Sequence, residues 1–291
     1  MTMPVDLLPG SFLRRVLVSR VQAVFNDREK GETPVVRSRG ALFEPESVIW
    51  RVHGDVTTMM IGGVTALLMQ MLHPSALAGV WDHSTFRNDM LGRLRRTARF
   101  IALTTYAERE LAETAIEKVK AVHEHVHGEL DDGTRYRASD PRLLAWVHVC
   151  ETIGFLDAWI AYGEPRMSPS DQDAYVQQAG LVARALGADP VPETRAQAEA
   201  LIEDFMPELR ADSCTHSVAS MVLSQPSPSL AVSPAQHLLM QAAVDLLPNW
   251  AKAMHKRRVG GAVRPIVRTG TLAIARTLNW AFVDARRPPE G

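Results

Sequence analysis

Cysteine is scarce in this chain, with Cys150 and Cys214 the only two among 291 residues. Two thiols cannot build a disulfide framework or a cysteine-rich zinc site, and such usage points to a reducing compartment, the cytoplasm. Lysine is also rare, five residues against 27 arginines, and acidic and basic side chains balance to a formal charge of −1. A chain so balanced lacks the electrostatic footprint of a general nucleic-acid binder, so any basic patch must be local. Long apolar runs are missing too. The most apolar stretch, residues 56–72, is interrupted by Gly62 and Gly63 and falls short of the roughly 20 residues a membrane span needs, so it reads as a buried helix. The first 25 residues lack the basic start, apolar run and small-residue cleavage site of a secretory signal. Strict polar–apolar alternation, the mark of half-buried strands, is almost absent.

What is present is a chain 46% hydrophobic and 22% charged, enough apolar material for a core and too little charge for disorder. Apolar residues recur at three- and four-residue spacing, which predicts an all-α, multi-helix protein with one core, a single domain over residues 1–291. The expected helices cover residues 4–25, 45–52, 57–72, 74–80, 91–105, 107–126, 140–162, 168–186, 192–206, 213–223, 234–247 and 266–282. Their ends carry start and stop chemistry. Asp140 caps the helix opened by Pro141, because its carboxylate accepts from free amides while proline needs no partner there, and Gly163 and Pro165 end it. Ser168-Pro169 and Pro192-Glu193-Thr194 repeat the pattern. Residues 224–229, Ser-Gln-Pro-Ser-Pro-Ser, form the best linker between helices.

Two constellations carry chemistry. His123-Glu124-His125-Val126-His127 matches the H-E-x-x-H zinc pattern. On a continuous helix His123 and His127 would share a face, offer two imidazoles to zinc and leave Glu124 as general base. The longer form of the pattern calls for glycine at 130 and histidine at 133, where this chain has Leu130 and Gly133; Glu151 is the alternative third ligand. Upstream, Gly92-Arg93-Leu94-Arg95-Arg96-Thr97 would place Arg93, Arg96 and Thr97 on one helical face. Converging guanidinium groups repel, so they need an anionic partner, Asp82, Asp89 or a bound acid, or else they face water.

The order His73-Pro-Ser-Ala-Leu-Ala-Gly-Val80, His83-Ser-x-Phe86, Gly92-Arg-Leu-x-Arg-Thr97, Val119-x-x-Val-His-x-x-Val-x-Gly128 and Tyr136-x-Ala-x-Asp-Pro-x-Leu-x-x-Trp-Val-His148 resembles the MpaB and latex-clearing-protein oxygenase family. The resemblance runs over residues 50–162 and more weakly through Leu246-Leu-Pro-Asn-Trp-Ala251. It implies a helical core, globin-like around haem b, and oxidation of an apolar small-molecule substrate with dioxygen, with or without an electron donor. Carried over by motif, His123 would be the iron ligand, and Arg93, Arg96 and Thr97 the distal cluster, with Arg93 also available to the cofactor. Where the rubber oxygenases have a lysine able to ligate iron, this chain has Arg96, whose guanidinium stays protonated and is a poor ligand. A five-coordinate or water-bound iron follows. Two other functions fit the residues alone: a zinc hydrolase using His123, Glu124 and His127, and a non-catalytic helical protein that holds a lipid-like ligand with its arginines on an acid head group. His148 reads as a core histidine bonded to a carbonyl, His125 as pointing to solvent, and Lys256-Arg257-Arg258 as a wet basic surface.

Overall fold

A computed structural model describes residues 14–15, 18–19, 31–84, 86–87, 89–227 and 232–282. Most of the helix expected over residues 4–25 and part of the linker at 224–229 lie outside them. The described residues form twelve α-helices and one short hairpin, so the all-α expectation holds. In chain order the helices are α1 (Val48–His53), α2 (Val56–Gln70), α3 (Pro74–His83), α4 (Met90–Tyr106) and α5 (Arg109–Glu124), then α6 (Pro141–Tyr162) and α7 (Pro169–Leu186). They continue with α8 (Arg195–Phe205), α9 (Ser213–Leu223), α10 (Ser233–Leu246), α11 (Asn249–Met254) and α12 (Arg264–Phe282).

The centre is the crossing of α2 and α6. Both are apolar around most of their circumference, which suits helices covered on every side. Glycine sets their separation. A Cβ on Gly62 would lie 2.7 Å from the Gly154 carbonyl oxygen, and one on Gly154 would lie 2.7 Å from that of Gly62. Each backbone therefore rests on the other where no side chain fits. Helix α6 is long and apolar enough to cross a membrane, but 72% of its apolar window is buried inside the protein; it is a core helix. As expected, Asp140 starts it, accepting from the amides of Arg142 (2.9 Å) and Leu143 (3.0 Å). Ser168 likewise caps α7. Helix α8 begins later than the proline at 192 suggested, because Thr194 supplies the cap to the Gln197 amide at 3.2 Å.

Two elements escaped the sequence reading. Helix α11 is only six residues long. The hairpin pairs β1 (His127–Glu129) with β2 (Arg135–Arg137), with Gly128 opposite Tyr136. Its turn uses Gly133 at φ +84°, and its closing contact is the Tyr136 hydroxyl donating to Asp82 on α3 at 2.8 Å.

Candidate functional site

Helices α4 and α5 are joined by two residues and pack against each other as a hairpin, so the first turns of α4 lie beside the last turns of α5. The corner is pinned from outside: the Arg109 amide donates to the Gly40 carbonyl at 3.0 Å, and the Ser38 hydroxyl donates to Glu108. At its start, α4 is capped by Asp89, which accepts from the Gly92 amide at 2.8 Å. This geometry places Arg93 of α4 next to His123 of α5.

Both groups are half-buried and uncommitted. The Nδ1 of His123 is buried without a hydrogen-bond partner among the described residues. Burial lowers its basicity, the nearby Arg93 charge lowers it further, and Glu124 opposes the change. The imidazole is therefore held toward its neutral, metal-binding form. Burial and the neighbouring Arg96 charge also push the Arg93 guanidinium below its ordinary value. Among the described residues Arg93 has no ion pair and no side-chain hydrogen bond. The buried, unpartnered Nδ1 of His123 is a costly feature unless something else meets it, and the half-buried Arg93 beside it adds a cation with no acidic partner among the described residues.

The expected cluster does not converge as a triad. Arg96 and Thr97 are exposed. Arg96 pairs with Asp89 at 3.6 Å, and the Thr97 hydroxyl donates back to the Arg93 carbonyl at 3.3 Å. Only Arg93 is drawn inward. Of the two acids considered as its neighbours, Asp89 serves Arg96 and the helix cap, and Asp82 takes the Tyr136 hydroxyl.

The zinc arrangement is not realised. The helix expected to run to residue 126 stops at Glu124, and His127 stands exposed in β1, so His123 and His127 do not share a helical face. The reason is local: after His125 the chain turns into the hairpin, whose far strand needs Gly128 where the Tyr136 ring lies against the backbone. Among the described residues no group of three histidine, cysteine or carboxylate side chains is placed to hold a metal ion. The His127 carbonyl instead accepts from His83 Nε2 at 3.0 Å.

Several of the other histidines have structural partners. His73 Nε2 meets Glu208 at 3.3 Å, and His125 Nδ1 donates to the Ala121 carbonyl at 2.7 Å although the residue is exposed. His148 is bonded to a side chain and not to a carbonyl: its Nδ1 meets the Thr152 hydroxyl at 3.3 Å, while Nε2 is buried without a partner. Burial drives its pKa down to about 4.

A polar network that sequence reasoning missed lies between α1, α4, α6 and α7. His53 bridges the Thr105 hydroxyl (2.9 Å) and the Tyr175 hydroxyl (3.0 Å), and burial pulls its pKa down to about 3. Tyr175 is held well above its ordinary value by burial and by the nearby charge of Glu151. Burial in turn raises the Glu151 carboxyl to about 7, against a hydrogen bond from Gln70. No spacing could have found this group, since His53 and Tyr175 are 122 residues apart.

Comparison with known families gives one finding. A family model described as ER-bound oxygenase mpaB/B'/Rubber oxygenase, catalytic domain, matches residues 50–280. No curated protein and no solved structure matches the chain.

Proposed function

Because the chain belongs to the MpaB and rubber oxygenase family, as its match over residues 50–280 establishes, we propose that it binds haem b through His123 and oxidises an apolar small molecule with dioxygen. One observation carries the haem assignment: a neutral-leaning imidazole with a buried, unpartnered nitrogen stands beside an unpaired Arg93. That pair fits a haem, which needs one imidazole from a rigid helix and cations for its propionates or for charge developing nearby. It does not fit zinc, for which the described residues assemble no group of three ligands and His127 stands apart from His123 in β1.

Bound haem would supply the redox chemistry. The chain's own residues supply the rest. His123, on the last turn of α5, holds and orients the group. Arg93 brings fixed positive charge to a site partly closed to water, where it counts for more than at the surface. Arg96 and Thr97, exposed on the same stretch of α4, stand at the solvent side, where Arg96 is already balanced by Asp89. An apolar substrate accords with the family description, which names rubber, a hydrocarbon polymer.

The test is the visible spectrum and metal content of protein purified from haem-supplemented cells or reconstituted with haemin. A Soret band that disappears in His123→Ala and survives in His127→Ala is the expected result. Stoichiometric zinc without a Soret band after reconstitution overturns it, as does colourless protein carrying co-purified lipid.

A further inference from the structure

Where α9, α10 and the turn after α11 meet, a cavity of about 500 Å³ opens to solvent, and Lys256, Arg257, Arg258, Ser220 and Ser224 all line it. Buried Met240 and Val244 of α10 close its inner side. Three consecutive cations reach one cavity because the chain turns sharply there. Lys256 adopts the left-handed conformation at φ +53°, which a non-glycine residue seldom takes, and the Arg257 amide donates back to the Lys252 carbonyl at 3.0 Å. The turn is fixed to the core just before it: His255 is buried, and its Nε2 donates to the Leu68 carbonyl of α2 at 2.7 Å. This is a regular helix C-terminal cap, closed also by the Lys256 amide donating to the Ala253 carbonyl at 3.1 Å, and it fixes where the three cations leave the helix.

The charge there is not neutralised within the described residues. Lys256, Arg257 and Arg258 make no ion pair; Arg257 donates to the neutral Ser220 hydroxyl at 2.6 Å. A carboxylate of the same region, Asp245 of α10, is already shared by Arg264 (2.7 Å) and Arg268 (2.9 Å). In a protein of net charge −1, this corner is a local excess of cations beside an apolar wall.

We propose that this cavity is a binding site for a phosphate monoester. Lys256, Arg257 and Arg258 hold the dianionic head and its organic part lies against Met240 and Val244, while the Ser220 and Ser224 hydroxyls, which donate to the His216 and Ser220 carbonyls, line the rim. The donor count selects the ligand. Two guanidinium groups and an ammonium bring three charges and more N–H donors than a single carboxylate can accept, and they match a tetrahedral group with three terminal oxygens and two charges. The assignment is independent of the haem site.

The test uses the full chain with two probes, inorganic phosphate in titration calorimetry and phosphatidylcholine vesicles carrying phosphatidic acid in flotation. Phosphatidylserine vesicles, which lack a phosphate monoester, are the charge control. Saturable phosphate binding that weakens at least about tenfold in the double variant Arg257→Ala/Arg258→Ala is expected. Flotation with phosphatidic acid in addition identifies a lipid headgroup as the source, and its absence identifies a soluble ester. Arg258→Ala alone, at an exposed residue without partners, keeps the test valid should the double variant misfold; its binding should fall about threefold or more. Unchanged binding in folded variants, no saturable binding of either probe, or equal flotation with phosphatidylserine overturns the proposal.

Discussion

At the scale of single residues, the pair Arg93 and His123 separates the two metal chemistries that one stretch of sequence allowed. In the zinc arrangement Glu124 and His127 are indispensable; in the haem arrangement neither is. Glu124→Gln and His127→Ala should therefore retain haem, while His123→Ala should lose it and Arg93→Ala should keep the Soret band but weaken haem retention by about tenfold, the cost of one charge-assisted contact. Absorbance after gel filtration checks all four. Glu151 yields an independent expectation with a definite sign. Its carboxyl titrates near 7 in the folded chain against 4.5 as the ordinary value, so the folded state binds more protons between those limits and stability falls as pH rises through them. The slope for one such group is at most about 1.4 kcal/mol per pH unit. Glu151→Gln removes it: the variant should gain melting temperature relative to the parent at pH 8 and show little gain at pH 5. His53 and His148 work in the opposite direction. Their folded values of about 3 and about 4 lie below the ordinary 6.5, so the unfolded chain takes up their protons first and stability drops as pH falls below about 6.5. A Glu151→Gln gain of equal size at both pH values would show that the carboxyl is not held protonated.

At the scale of elements, the α2–α6 crossing supplies a paired test of close packing. Gly62→Ala would press a methyl into the Gly154 carbonyl and the Phe155 backbone, neither of which is a flexible side-chain end, whereas Gly63→Ala would meet Phe155 at an ordinary 3.5 Å. The first should cost about 1–3 kcal/mol through overpacking. The second should be neutral or gain up to about 1 kcal/mol from helix propensity. Denaturant titration distinguishes them, and equal effects would mean that the backbones are not truly in contact. These neighbouring glycines also show what could be read beforehand. The apolar run identified a buried helix and its two glycines, but which of them touches a second backbone depends on a partner 92 residues away. Helix ends bearing Asp140 or Ser168 were legible because cap and helix are adjacent in sequence. The hairpin was not, since three-residue strands carry no usable alternation, and its intrusion broke the helix on which the zinc pattern depended. Within the site, His123 and Arg93 could be named from ordered motifs, while the divergence of Arg96 and Thr97 to solvent could not, because one helical face spans enough arc for part to be covered and part left wet.

At the scale of the whole molecule, the family match extends to residue 280, well beyond the motif-rich first half, and α12 is how that later part is tied to the core. Val267, Thr271 and Ala275, four residues apart, form its buried stripe. Its charged anchor is Asp245, whose side chain is only 4% exposed and which holds Arg264 and Arg268, each about half exposed. Burial is thus unequal across the bridge, and the two ways of breaking it should differ. Asp245→Asn releases two arginines that water can solvate, and should cost about 1–2 kcal/mol, mainly in weakened hydrogen bonds. Arg264→Ala/Arg268→Ala instead leaves a carboxylate buried without either arginine. It should cost about 2–4 kcal/mol, somewhat under the value for a fully buried pair because water screens the arginine side. Lys252, whose Nζ donates to the Asp245 carbonyl at 2.7 Å, stays close enough to soften that loss, so adding Lys252→Ala should deepen it. Chemical denaturation ranks the variants, and limited proteolysis should trim the α12 segment first in the arginine variants. If Asp245→Asn proves the most damaging of the three, the carboxylate is not the buried end of the bridge and α12 is held by its apolar stripe alone.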